Sequence, residues 1–317
     1  MLHRFSLLLT LLLLSLSVCS QSAITLRRTF IDSFKNIITI NSSYDVWFTH
    51  HKAKPEKDDG DIHCSGYDKK IGMPVVAEIM NAKEEQSAID ILITHEGKGA
   101  VNNSKIGITG VWRLWPEHMG SGVPFFQGMK LTKAKIKSKT TNPDHVFEIH
   151  PMIKIENIDL ISSLRNIGPD YEPFESRYVF DKLKKKAFTI TSAKKTITFQ
   201  TSQVGYNYIN LWIRIDSLWE VDDGAFAYCT ILDSGFDPAA DQVDDKTVSK
   251  KTRIAFVKDS GPYNQAIQKG VGGFMHILGT PRINLAILSW REWASKKRPE
   301  VLNRKLPFEI IADGLIE

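Results

Sequence analysis

Short bursts of alternating apolar and polar residues, each ended by glycine, asparagine or aspartate, leave this chain little choice but a small, strongly bent sheet. "NIITINSSYDVWFTH", "DIHCSGY" and "MPVVAEIM" read as three successive strands, the last two joined by the turn "DKKIG". The period then changes. In "NAKEEQSAIDILITHEGKG", Asn81 is placed to cap a helix, Glu84 and Glu85 fall in its first turn, and Ala88, Ile89 and Leu92 share one face. Gly97 ends it, and "KIGITGVWRLW" and "DHVFEIHPMIKIENI" restore the strand period.

Three strands, a helix and two more strands is the order of the oligonucleotide/oligosaccharide-binding (OB) barrel, a small Greek key. The second half repeats the plan with one extra strand: "KKTITFQTS", "YNYINLWIRIDS", "GAFAYCTILDSG" and "TRIAFVKDS" precede a short helix. Ser260 and Pro262 open that helix and Gly270 ends it. "GGFMHILGTPRINLAILSWRE" reads as two strands around Gly279 to Pro281. The expected fold class is all-β with minor α: two OB-like Greek-key β-barrel domains, residues 31–158 and 187–317, with residues 159–186 as a polar linker.

The first twenty residues stand apart. His3 and Arg4 precede "FSLLLTLLLLSLSV", an apolar run too short for a membrane span, and cleavage after Ser20 fits. Residues 1–20 therefore read as a signal peptide and the protein as secreted or periplasmic. "LSVC" is the weaker lipoprotein alternative, because Val18 stands where a small residue is wanted. No other run approaches a transmembrane length. Cys64 and Cys229 then remain, too few for a disulfide framework and best read as buried free thiols.

With 41 basic and 36 acidic residues the net charge is +5, which suits an anionic macromolecule or a glycan as partner without requiring either. Lys130 to Lys139 carries alternating lysines, a pattern of exposed edge ribbons and of basic fingers alike. Alternation separates Trp112 from Trp115, so Trp115, with Lys133, Lys135 and Lys137, is the candidate ligand-binding set. There is no G-x-S-x-G elbow, HExxH pair or CxxC, and neither "GVGG" nor "HEGKG" meets the requirements of a phosphate loop.

The same alternation sorts the charged residues. Ile62, Cys64, Val75, Ala77, Ile79, Phe147 and Ile149 fill the barrel, which leaves Asp61, His63, Glu78, Glu148 and His150 on its outer surface. Five such groups on neighbouring strands suit a structural hydrogen-bond network, a divalent metal site, or an acid–base pair. The cofactor expectation is accordingly none, or a divalent metal.

"DDGDIH", "VAEIMNA", "ITGVWRLWPEH" and "NPDHVFEIHPM" resemble a group of secreted bacterial proteins in which D-G-D-I-H is followed by A-E-I, T-G-V and E-I-H-P. The resemblance covers residues 54–152 and implies no particular activity. "DGD" also resembles the staphylococcal-nuclease class of OB enzymes, which implies a metal-binding role for Asp61. Glu78 departs from that class, standing where an arginine is wanted, and Arg113 is the one arginine near in sequence. The leading functional expectation is a binding or scaffolding protein. The alternative is a metal-dependent, phosphodiester-directed hydrolase using the five-residue patch, and the third reading is a purely structural interdomain network.

Overall fold

The structure is a computed structural model and describes residues 22–98, 104–120, 124–129, 140–297 and 305–316. The signal-peptide segment and Lys133, Lys135 and Lys137 lie outside the described residues. Strand makes up 43% and helix 22% of the fold, and the strands include two closed five-stranded barrels, as expected.

The first barrel contains β1 (Thr39–Thr49), β2 (Ile62–Tyr67), β3 (Pro74–Ile79), β4 (Ile106–Leu114) and β5 (Phe147–Ile155). β1 pairs with β2 and β4, β2 with β3, and β4 with β5. A parallel pairing of β3 with β5 closes the ring. Helix α1 (Gln86–His95) lies between β3 and β4 in sequence and buries Ala88, Ile89 and Leu92. The interior is tight enough to demand glycine at one point: a Cβ on Gly66 would lie 2.3 Å from the Asp45 carbonyl oxygen and 2.7 Å from the Tyr44 ring.

The second barrel repeats this topology with β6 (Ile209–Val221), β7 (Gly224–Leu232), β8 (Thr247–Val257), β9 (Phe274–Ile283) and β10 (Phe308–Leu315). β6 pairs with β7 and β9, β7 with β8, β9 with β10, and β8 with β10 in parallel. Helix α2 (Gly261–Lys269) sits between β8 and β9 in sequence, and the Ser260 hydroxyl accepts from Tyr263 N at its start. Cys64 and Cys229 are both free and buried, one in each barrel.

Four local expectations are corrected. The extra strand, Thr196–Thr201, belongs to a separate small sheet with Ser22–Arg27, Phe188–Ser192 and Phe125–Phe126, so both barrels have the same count. Residues 274–283 form one strand, because the break at Leu278/Gly279 is a bulge rather than a turn. The chain then enters a helix, Leu285–Lys297, where the Asn284 side chain accepts from Ile287 N. Asn81 does not cap α1: its φ is +47° and its side-chain amide donates to the carbonyls of Ser163 and Arg165. Finally, residues 159–186 are not a plain linker. They hold the helix Ser176–Lys184, whose Val179, Phe180 and Leu183 are buried.

Candidate functional site between the barrels

Asp59 and Gly60 both take left-handed backbone angles, φ +78° and +67°, and this tight entry to β2 aims Asp61 and His63 out of the barrel. Across the strands His63 faces Glu78, and Arg113 faces Glu148. Asp61, His63, Glu78, Glu148 and His150 thus converge as the alternation indicates, in two triads that share Glu78. Glu117, His118 and Glu148 form a third.

The groups alternate in sign along a seam. Lys54 Nζ lies 2.9 Å from Asp61 Oδ1, and Asp61 Oδ2 lies 2.9 Å from His63 Nε2. Glu78 follows, with Oε1 at 3.5 Å from His63 Nε2 and Oε2 at 2.9 Å from His150 Nδ1. His150 Nδ1 is 3.7 Å from Glu148 Oε2, and Glu148 in turn pairs with Arg113 and lies 3.1 Å from His145 Nε2. Asp61, Glu148 and His150 are each 1% exposed, so every charge here must be met by a neighbour.

The second barrel is what buries them. Tyr208 Oη sits 2.9 Å from His150 Nε2, and Arg113 Nε donates to the Pro281 carbonyl at 2.9 Å. Trp115 is sealed by the same contact, fully buried with its indole N–H donating to the Gly205 carbonyl. Its expected role as an exposed stacking platform is therefore corrected: pointing out of the first barrel means pointing under the second. Beside the seam, Arg282 lies over the Trp112 ring at 3.8 Å and donates to the Trp112 carbonyl. Glu309 binds both Arg282 and Arg253, and Asp223 Oδ2 accepts from Ile38 N and Thr39 N.

Protonation follows from this packing. Burial opposes charge on Asp61, but His63 and Lys54 overcome it and hold the carboxyl well below its usual range. Asp59 goes the other way, pushed up to about 7 by burial and by the Asp61 charge. Burial would lower His63, yet the carboxylates of Glu78 and Asp61 hold it up to about 9. His118, nearer the surface, is brought down to about 4 by burial and by His145.

Asp313, which β10 brings to the same interface, is fully buried with Thr280 as its polar neighbour. Burial pushes it up to about 7, against the pull of His150. Its proton is held more tightly in the folded state than in the unfolded chain, where an aspartate titrates near about 4. Stability from this group is thus full below about pH 4 and is lost as pH rises through 7. Asp313→Asn is expected to flatten the fall in stability between those limits, measured by urea unfolding across pH. An unchanged pH profile would contradict the assignment.

Sequence reasoning missed Lys54, His145, Tyr208 and Asp313 at the seam. Arg113 was legible from the alternation along its strand, whereas Glu117 lies beyond the end of that strand at Leu114, and Tyr208 and Asp313 come from the other half of the chain and carry no local signal.

One point of the seam crowds two cations and two carboxylates around a single atom. His63 Nε2 has Asp61 Oδ2 at 2.9 Å, Lys54 Nζ at 3.1 Å and Glu78 Oε1 at 3.5 Å. As an imidazolium, His63 donates from Nε2 to Asp61 and faces Glu78, so Lys54 meets it as a like charge and is balanced by Asp61 Oδ1 instead. A tetrahedral metal with bonds of about 2.0–2.2 Å sets its ligand atoms roughly 3.3 Å apart. The spacings of His63 Nε2 to Asp61 and to Glu78, 2.9 and 3.5 Å, bracket that figure. Comparison with protein-family models, curated proteins and solved structures returned no match.

Proposed function

We propose that this chain is an exported two-barrel OB binding protein whose interdomain seam holds a divalent metal, with Asp61, His63 and Glu78 as its ligands. The observation that carries the reading is the convergence of Asp61, Glu78 and Lys54 on the single atom His63 Nε2. One imidazole and two carboxylates suit zinc or manganese. Lys54 is then a competing cation that moves toward Asp59, already 3.7 Å away. The apolar segment within residues 5–18 supports export. Among the described residues no helix is long and apolar enough to cross a membrane.

Hydrolysis is the second reading, favoured by the ligand count. Three protein ligands leave a position for water, whose pKa a bound metal lowers. A phosphodiester substrate has less support, because Arg113 is committed to Glu148, Pro281 and Asn207 rather than to a substrate.

Zinc added to chelator-treated protein at about a hundredfold above its Kd is expected to raise Tm by roughly 5 °C. Lys54→Met is expected to tighten zinc binding about tenfold by removing the competing charge, measured by calorimetric titration. A Tm indifferent to zinc, together with a Lys54→Met variant that is merely less stable, would favour the purely structural network.

A further inference from the structure

An open cleft of about 680 Å³ lies beside the seam, lined by Tyr171, Glu172, Phe174, Glu175, Tyr178 and Asn210. Its size is that of a ligand site. Two of its rings are open to solvent, Phe174 at 40% and Tyr178 at 50% exposure. What sets them apart from singly exposed apolar residues is that they lie together, around Tyr206.

The cleft is built rather than accidental. Phe174 and Glu175 form a two-residue parallel pairing with Ile209 and Asn210, which anchors that wall to β6. Tyr206 stands perpendicular to both Phe174 and Tyr178, with ring centroids 5.4 and 5.9 Å away. It does so from a left-handed backbone, φ +75°, that a bulky residue rarely adopts. Tyr208, two residues on, is left-handed as well, at φ +51°. Such strain persists where the surroundings over-determine it, and it collects at binding sites. The two tyrosines face different partners: Tyr206 the cleft rings, Tyr208 the imidazole of His150.

The lining also says what the cleft rejects. Glu172 and Glu175 give it an acidic rim, and Asp59, Asp61 and Glu117 are near enough to Tyr171 to raise its phenol further above the range that burial already imposes. Phosphate or uronate groups would be repelled at that rim, which Lys182 Nζ, 5.2 Å from the Tyr178 ring centre on the other wall, offsets only in part. Carboxylates accept hydrogen bonds from hydroxyls, exposed aromatic rings take the C–H faces of sugar rings, and the amide of Asn210, held by His276 at 2.6 Å, is fixed in orientation.

We infer that this cleft seats an oligosaccharide that carries no acidic groups. The inference deepens the ligand-binding part of the proposed function and does not depend on the metal. Tyr171 packs edge-on against Tyr208 at 5.6 Å, and Tyr208 reaches His150, so a ligand in the cleft lies one tyrosine pair away from the seam.

The test is calorimetric titration with a panel of hexasaccharides: neutral β-linked glucose and N-acetylglucosamine oligomers, an acidic galacturonate oligomer, and a thymidine oligonucleotide as a nucleic-acid control. At least one neutral oligomer is expected to bind, at least tenfold more tightly than the acidic oligomer and the oligonucleotide. Phe174→Ala and Tyr178→Ala are each expected to weaken binding tenfold or more, while both variants keep the wild-type Tm and the wild-type response to zinc. No binding by any neutral oligomer would overturn the inference. So would preference for an acidic oligomer, or binding indifferent to both substitutions. His63→Ala separates the two claims: it should abolish the response to zinc and leave oligosaccharide affinity within about twofold.

Discussion

Glu309→Gln is expected to lower the free energy of unfolding by about 3–5 kcal/mol. Glu309 is fully buried and accepts from Arg253 on one oxygen and from Arg282, at 2.6 Å, on the other. Arg282 is itself fully buried, and its Nη2 has no hydrogen-bond partner. Neutralising Glu309 strands two guanidinium groups in a low-dielectric interface. The cost is that of uncompensated charge rather than of a lost contact. Because Arg282 also stacks on Trp112 and Arg253 donates to the Lys35 carbonyl, the damage reaches both barrels. A fall in the urea midpoint at constant m-value would report it. A loss under 1 kcal/mol would mean that the pair is solvated and that the barrels are not locked there.

The second large effect is at Glu78. Its two oxygens lie between His63 and His150, and both histidines draw the carboxyl below its usual range against the effect of burial. Glu78→Gln keeps the shape but removes the charge that both imidazoles face. The metal-free protein should lose about 3–5 kcal/mol for the same reason as above, and zinc should no longer stabilise it. The second result is the discriminating one. If the seam is structural alone, wild type and variant respond to zinc alike, and the double-mutant cycle with His63→Ala shows coupling that is independent of metal.

How much of this was legible beforehand follows from the range of each signal. Alternation is local, and it placed Asp61, His63, Glu78, Glu148 and His150 on one surface and Ile62, Cys64 and Ile149 on the other. The strand–helix order, equally local, carried the barrel topology. What failed was non-local or depended on a single backbone angle. Nothing near Asn81 announces that its side chain is wanted by Ser163 and Arg165 instead of by α1. Nothing in "GGFMHILGTPRINLAILSWRE" distinguishes a bulge at Gly279 from a turn. Trp115 shows the limit most clearly. Its direction out of the barrel was readable, but whether outward means solvent or a second barrel depends on residues such as Gly205, ninety positions away.

The seam therefore combines two properties that usually exclude one another. It is buried and close to balanced in charge, as structural networks are, and it also crowds two carboxylates and an ammonium around one imidazole nitrogen, as metal sites do. The proposed divalent ion would displace the His63 proton and add one positive charge, which Lys54 would offset by moving away toward Asp59.

The most direct test is elemental analysis of the full chain, purified without chelator and dialysed against zinc, beside the Glu78→Gln variant treated in the same way. One zinc or manganese per wild-type chain, with a near-zero ratio in the variant, is the result expected. Equal and substoichiometric metal in both would contradict a metal at Asp61, His63 and Glu78, and would leave the seam as a structural lock between the two barrels.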